Sequence, residues 1–197
     1  GEGDAVGTAG NWEGGSAPSR VDNKGPHLIF NGVDVTVTGT PPNTSDGGGI
    51  SVTGNGSVSV GLGQWGGNVY VEKGSSLTTS FGTQLKNMEP EGHANIYVDG
   101  TLNMTTPGGN LNFDNGTGAD NHYWHIGLDG MINLSNTTTI TKNAKTWNVE
   151  VVVASAMEEL AVTNREMVDD ALITRYFMST GADLGASLDS LRIWKQT

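Results

Sequence analysis

The chain has 197 residues, with 30 glycines, 6 prolines and no cysteine, and its 21 acidic and 10 basic residues give a formal net charge of −11. These numbers exclude disulfides and cysteine-ligated zinc, and they argue against nucleic-acid binding, which needs clustered Lys and Arg at the phosphates. No apolar run approaches the roughly 20 residues of a membrane-spanning helix, so we expect no membrane insertion.

The N-terminal segment 1–27 is Gly-rich with little periodicity, and we expect it to cap the fold, with Trp12 as an anchor. From Leu28, short alternating runs predict strands with one buried face. The runs 28–30 and 33–37 flank Asn31-Gly32, a dipeptide typical of a type I′ hairpin. Because the apolar positions change parity across this dipeptide, the sequence predicts a hairpin here.

A second pattern repeats from residue 50 onward. Ile96, Val98, Leu102 and Met104 alternate through Gly100 without a change of parity, and similar runs start near residues 50, 69 and 126. A two-residue hairpin would put Val98 and Leu102 on opposite faces, whereas a glycine corner within a winding strand, or a three-residue loop, keeps them on one face. Units about 20–30 residues apart are within the range of stacked repeats.

These units predict an all-β fold, a short parallel β-helix (β-solenoid) over residues 28–153 with capping segments at both ends. A β-sandwich or jelly roll is the alternative, since its strands also alternate and also turn on glycine. A parallel pairing of successive coils would decide between the two.

The pattern changes after Trp147. Residues 156–170 carry apolar side chains at helical intervals behind a capping-box spacing, and residues 173–178 and 187–194 predict two final strands. We expect segment 154–197 to be a C-terminal cap or an assembly element. The candidate assembly residues are Ile173, Tyr176, Phe177, Leu191, Ile193 and Trp194.

The N-terminal part resembles a known group of proteins. The stretches that carry the resemblance are Gly10-Asn11-Trp12-Glu13-Gly14-Gly15, Ala17-Pro18, Asp22-Asn23, Leu28-Ile29-Phe30 and Val33-Asp34-Val35-Thr36-Val37. They are similar to the opening of secreted bacterial β-helix surface proteins with autotransporter-like or PEP-CTERM-type repeats, over about residues 1–140. The resemblance implies a right-handed β-helix, an extracellular or cell-surface location in a bacterium, and no shared catalytic residues. Residues 186–194 are similar to the last strand of a laminin-G-type jelly roll.

One polar cluster, residues 114–129, contains candidate metal ligands. Gly116-x-Gly118-x-Asp120 resembles half of a calcium-binding nonapeptide repeat, which makes Asp114, Asp120 and His122 candidate ligands and calcium the one cofactor that the sequence admits. An Asp-x-His-x-x-His zinc site would need a helix, because His122 and His125 lie on opposite faces of a strand. The G-x-G-x-x-G run at 61–66 precedes another strand rather than a helix, which argues against nucleotide binding.

Enzymatic chemistry has little support in the sequence. There is no nucleophile elbow and no cysteine nucleophile, and no pair among the 21 acids is marked as catalytic. Between Leu28 and Ile140 the only bases are Lys73 and Lys86, too few for a lyase that must neutralise uronates and abstract their proton.

Aromatic side chains are the candidates for carbohydrate contact, because they stack on sugar rings. We expect Trp65, Tyr70 and Trp124 to be available for this, while other tryptophans plug the ends of the stack. The leading hypothesis is a non-enzymatic extracellular structural or surface protein, a self-associating subunit of a filament, matrix or surface layer. A carbohydrate-binding adhesin module is the alternative, and a polysaccharide-active enzyme comes third.

Overall fold

The structure is a computed structural model that describes residues 9–13, 15–19, 26–38, 48–62, 67–81, 84–86, 94–105, 110–114, 120–135, 139–142, 146–153, 165–167, 177–180 and 192–196. Within these ranges the chain is all-β apart from a 3-10 helix at Ala9–Asn11. No helix in the described ranges is long and apolar enough to span a membrane.

The described strands are short and follow one another with few residues between them. In chain order they are β1 (His27–Asn31), β2 (Asp34–Val37), β3 (Gly48–Thr53), β4 (Ser57–Leu62), β5 (Gly67–Val71), β6 (Ser76–Phe81), β7 (Gln84–Lys86), β8 (Ala94–Val98), β9 (Thr101–Thr105), β10 (Asn110–Asp114), β11 (Asp120–Ile126), β12 (Met131–Ser135), β13 (Thr139–Lys142), β14 (Thr146–Val153), β15 (Arg165–Met167), β16 (Phe177–Thr180) and β17 (Arg192–Gln196).

Two long sheets and one short sheet contain these strands. The eight-stranded sheet has the order β1-β3-β5-β8-β11-β14-β17-β15, the six-stranded sheet β16-β12-β9-β6-β4-β2, and the three-stranded sheet β13-β10-β7. Neighbours in the two long sheets come from successive passes of the chain and pair in parallel. Among the described pairings only β15 with β17 is antiparallel.

This topology confirms the predicted all-β fold with parallel sheets and is consistent with a β-solenoid. It does not fit the alternative β-sandwich or jelly roll, whose strands pair antiparallel. From β1 to β16 each pass of the chain contributes one parallel strand to each long sheet, so the stack grows along one axis by about 4.8 Å per winding.

The core lies between the sheets and consists of apolar residues stacked in register. One column in the eight-stranded sheet contains Leu28, Ile50, Val69, Ile96 and Trp124, and Val151 and Ile193 follow at the same register position. The facing column in the six-stranded sheet contains Val35, Val58, Leu77, Leu102 and Ile132, and Phe177 follows at the same register position. Every side chain from Leu28 to Trp124 in the first column is at most 1% exposed, and such burial stabilises by about 1.5–3 kcal/mol per residue.

One residue of the N-terminal segment, Trp12, contacts the N-terminal end of this core. The Trp12 ring lies 5.7 Å from the Phe30 ring, and Trp12 packs half-buried against the core. The boundaries proposed for the two terminal segments stay predictions.

The hairpin expected at Asn31-Gly32 is wrong. β1 pairs with β3 and β2 pairs with β4, so Asn31 and Gly32 form a corner between the two long sheets. The change of parity has another cause. Asn31 is in register with Thr53 and Asp34 with Ser57, so two residues lie between the paired positions in the first winding and three in the next. A corner with one residue more or less shifts the alternation just as a two-residue hairpin does.

The glycine corners expected further along the chain are confirmed. Residues 72–75, 99–100 and 127–130 connect the two sheets, and their even lengths preserve the parity of the buried positions. At Gly100 a Cβ would overlap the carbonyl oxygens of Ser75 and Glu72, so the close approach of the backbone requires glycine.

The helix predicted over 156–170 is wrong at residues 165–167, which form β15 and pair with β17. The rest of that range lies outside the described residues. The two final strands exist as β16 and β17, displaced toward the C terminus from the predicted ranges. Helical spacing of apolar residues gave a false signal here because a short strand that caps a sheet need not alternate.

Candidate functional site

The outer face of the eight-stranded sheet carries an aromatic column. Ile29, Ser51, Tyr70, Tyr97 and His125 occupy one register position in successive windings. The Tyr97 and His125 rings stack at 5.0 Å with an interplanar angle of 16°. Because these rings turn their faces to each other along the axis, that pair offers ring edges rather than faces to a ligand on the sheet.

His125 is buried although it lies on an outer face, with 1% of its surface exposed. Burial lowers its pKa, because the imidazolium form loses hydration. Burial also raises the pKa of Tyr97. The chain itself therefore covers this end of the aromatic column, while Ile29 at the other end is 65% exposed.

A serine and a histidine meet at the exposed end of the same face. The Nε2 atom of His27 lies 2.7 Å from Oγ of Ser51, the contact that a nucleophile and its base require. Nδ1 of His27 lies above Gly49, where a Cβ would come within 2.8 Å of it. Among the described side chains no carboxylate is placed to orient this imidazole, so the pair has the form of a cross-strand polar contact.

The outer face of the six-stranded sheet is a ladder of hydroxyls and amides. Asn133 Nδ2 donates to Asn103 Oδ1 at 2.6 Å, and Asn103 Nδ2 donates to Thr78 Oγ1 at 3.2 Å. Beside them the Ser76 hydroxyl donates to Ser57 Oγ at 3.0 Å. These bonds join successive windings, so the ladder holds its side chains in fixed positions along the axis.

The described charges concentrate at the corners between the two long sheets. Lys73 Nζ lies 2.5 Å from Asp129 Oδ2, two windings away, and this hydrogen bond and the charge of Asp129 raise the pKa of Lys73. The Gly54 amide donates to Glu72 Oε2 at 2.6 Å. The ion pair passes over the intervening corner at residues 99–100. Because this corner has only two residues, the Lys73 side chain reaches Asp129 beyond it.

The predicted carbohydrate-contacting residues are only partly brought together. Trp65 lies outside the described residues. Tyr70 is half-buried in β5 on the outer face. Trp124 is 0% exposed in the core column, so its assignment as a sugar-stacking residue is corrected. Trp124 and Ile126 are two residues apart on one strand and therefore share a face. This spacing was the sequence signal that assigns Trp124 to the core.

The predicted calcium ligands lie in two different sheets. Asp114 ends β10, whereas Asp120 and His122 belong to β11. Their side chains lie outside the described part, so this prediction stays a prediction. Where side chains are described, no three His, Asp or Glu residues form a group that could hold a metal ion.

Three of the six predicted assembly residues belong to the last described strands of the stack. Phe177 begins β16 and pairs with Ile132, and Ile193 and Trp194 lie in β17; Ile173, Tyr176 and Leu191 lie outside the described residues. β17 has β14 on one side and β15 on the other. β15 covers one side of β17 only at residues 194–196, and assembly through the terminal strands stays a prediction.

Sequence reasoning missed the ladder on the six-stranded sheet, although its signal is present. The ladder includes the outward positions of the same alternation that buries every second residue. Ser59 lies between the buried Val58 and Val60, and Thr78 lies between the buried Leu77 and Thr79. Compared with models of protein families, with curated proteins and with solved structures, the chain matches none.

Proposed function

We propose that the chain is a non-enzymatic structural segment, a right-handed β-solenoid of an extracellular or cell-surface bacterial protein that associates with copies of itself. The observation that carries the proposal is the in-register column from Leu28 to Ile193. A fold that adds one strand per sheet with each winding has no fixed length and serves as a scaffold. Right-handedness is the expected hand of a crossover between parallel strands in one sheet.

Self-association is favoured by the edge at the first winding. β1 and β2 are the outermost strands of their sheets, and no described strand pairs with their outer edges. Such edges are templates for further pairing unless charge, proline or a cap blocks them. β1 carries no Lys, Asp or Glu, so an incoming strand meets no fixed charge along it.

The direction of the backbone amides in β1 identifies the donors at this edge. The Gly49 amide donates to Pro26 O at 3.1 Å, and the Gly32 amide donates to Thr53 O at 2.9 Å. Because residues of a parallel strand alternate between its two neighbours, Leu28 and Phe30 bond to β3 and the Ile29 amide points to the free edge. The joint is thus expected at Ile29.

The test is assembly of the purified protein, followed by negative-stain electron microscopy and sedimentation, with and without calcium. We expect elongated particles for the wild type and shorter ones for Ile29→Pro, which removes the outward donor. Ile29→Thr keeps the donor while it changes the side chain, and it should assemble like the wild type. Uniform particles of one chain's mass that do not change with concentration would overturn self-association.

Neutral-glycan binding is a second candidate, favoured by the half-buried Tyr70 next to the exposed Asn68. Binding to a glycan array that Tyr70→Ala abolishes and Tyr70→Phe retains would support it. An array without signal for the wild type would exclude it for the glycans tested.

A further inference from the structure

We propose that the outer face of the six-stranded sheet is a lateral contact between two copies of this chain. This inference rests on the proposed function, since it names the surface through which the structural segments pack side by side. The occupant is a second copy, with the two faces related by a two-fold axis. Two features carry the argument, charge and order, and the area limits the strength of the contact.

The face has no charged residue in four successive strands. Where side chains are described, the outward positions of β4, β6, β9 and β12 are Ser57, Ser59, Gly61, Ser76, Thr78, Thr101, Asn103, Met131 and Asn133. The whole chain carries a net charge of −11, and like charges oppose contact between copies. Two copies meet with least repulsion where neither presents a carboxylate. The four inner strands β4, β6, β9 and β12 fulfil that condition, whereas Asp34 of β2, in register with Ser57, places a carboxylate at the edge of the face.

The other long sheet is less open to a neighbour. Its aromatic column is already covered at His125. On the six-stranded sheet Ser57 and Thr78 are exposed, so the middle of that face is open.

The face is also ordered before any partner arrives. The pairings from β4 to β12 run in register without a bulge, and the side chains are joined from Asn133 through Asn103 to Thr78. Fixed side chains lose little conformational entropy on contact. Small Ser, Thr and Asn side chains on flat sheets interdigitate in dry interfaces between paired sheets.

The area sets the strength of the contact. Six strands at about 4.8 Å and strand lengths near 17 Å give a face of about 400 Å². A stable interface buries about 800 Å² on each partner. One contact is therefore weak and depends on concentration, and it becomes strong when end-to-end growth repeats it along a longer particle.

Thr78 is the position for the test, because it is exposed at the centre of the face. In a two-fold contact each substitution occurs on both sides of the interface, so Thr78→Glu brings carboxylates together while Thr78→Gln of the same size does not. Leu128, 64% exposed at a corner, receives the same change as Leu128→Glu and Leu128→Gln. This second pair measures the effect of added charge away from the face.

Sedimentation velocity over a range of concentrations is the measurement, with circular dichroism to verify that each variant is folded. We expect Thr78→Glu to weaken lateral association at least about tenfold relative to Thr78→Gln, with partial recovery in high salt. The two Leu128 variants should differ much less. Equal association of Thr78→Glu and Thr78→Gln would overturn the lateral contact, while the Ile29 variants still report separately on end-to-end growth.

Two further outcomes separate this inference from the proposed function. A wild type that stays monomeric at every concentration overturns both. A monomeric wild type that binds an insoluble neutral polysaccharide, with binding lost in Thr78→Glu, overturns the contact between copies and assigns the face to a glycan.

Discussion

At the scale of single residues, the corner glycines are where the sequence has least freedom. Gly100 is buried, and a Cβ there would overlap two backbone carbonyl oxygens, which cannot yield as a flexible side chain would. At Gly32, by contrast, φ is 64° and the nearest atom to a Cβ is 3.6 Å away. The two positions thus separate a steric requirement for glycine from a conformational one.

We expect Gly100→Ala to lower the free energy of unfolding by about 3 kcal/mol through overpacking. Gly32→Ala should cost about 1–2 kcal/mol, the strain of a left-handed backbone with a Cβ. Urea unfolding followed by circular dichroism measures both. Equal losses of unfolding free energy at the two positions would mean that the carbonyl groups of Ser75 and Glu72 move away from residue 100 at little energetic cost.

Thr79 is a polar residue inside the core. It is 2% exposed, and its Oγ1 has no hydrogen-bond partner among the described groups. Because Thr79→Val removes an unsatisfied buried hydroxyl, we expect the free energy of unfolding to rise by about 1 kcal/mol. Thr78→Val is the control, since it removes the acceptor of the Asn103 amide and should give no gain. A loss of stability in Thr79→Val would indicate that the hydroxyl has a partner.

His125 gives the fold a dependence on pH. Its folded pKa lies below the ordinary 6.5 because of burial, so below about 6.5 the unfolded chain binds more protons than the folded one. Stability from this group is present above that pH and is lost as the pH falls toward the folded pKa. His125→Phe keeps a ring on Tyr97 and should flatten the acid limb of stability against pH in denaturant titrations. An unchanged acid limb would assign the dependence to other groups, such as His27, whose pKa is lowered because its ring is partly desolvated.

At the scale of elements, the alternation of apolar and polar residues predicted the strands and the corners that keep parity. This worked because only every second residue of a strand can face the core. The same alternation mispredicted the connection at Asn31-Gly32, since a corner shortened by one residue and a hairpin leave the same trace in the sequence. Which strands pair with β1 and β2 decides between a corner and a hairpin. Leu28 pairs with Ile50, 22 residues further along the chain, and pairing over such a separation leaves no local signal in the sequence. Trp124 was assigned to the surface for its chemistry, although its parity with Ile126 places it in the core.

The edge and the interior of the eight-stranded sheet should respond differently to proline. The Ile29 amide points to the free edge, whereas β3 has strands on both sides. We therefore expect Ile29→Pro to change the free energy of unfolding by less than about 1 kcal/mol and Ser51→Pro, in β3, to lower it by about 3 kcal/mol or more. Thermal unfolding at high dilution, where the chain is dissociated, measures the difference. A collapse of Ile29→Pro similar to that of Ser51→Pro would show that the edge amide is bonded within the chain.

At the scale of the whole molecule, net charge and β edges act against each other. In the described part of the chain no strand pairs with the outer edges of β1 and β2, and such edges would favour the proposed growth, while a charge of −11 on each copy would oppose it. Charge repulsion reaches about 10 Å at 0.1 M salt and about 3 Å at 1 M. Backbone pairing and contact between uncharged side chains need no ionic attraction and persist when charges are screened.

We therefore expect the assembled fraction to rise with sodium chloride concentration, and light scattering and sedimentation to report the same midpoint. Sucrose at matched concentrations is the control, because it strengthens burial by exclusion from the surface without screening charge. A similar rise in sucrose would assign the effect to burial rather than to repulsion. Assembly that falls with salt would mean that the copies are held by ion pairs, which the uncharged outward positions of β4, β6, β9 and β12 do not supply. The joint would then have to be sought at the charged corners around Lys73 and Asp129.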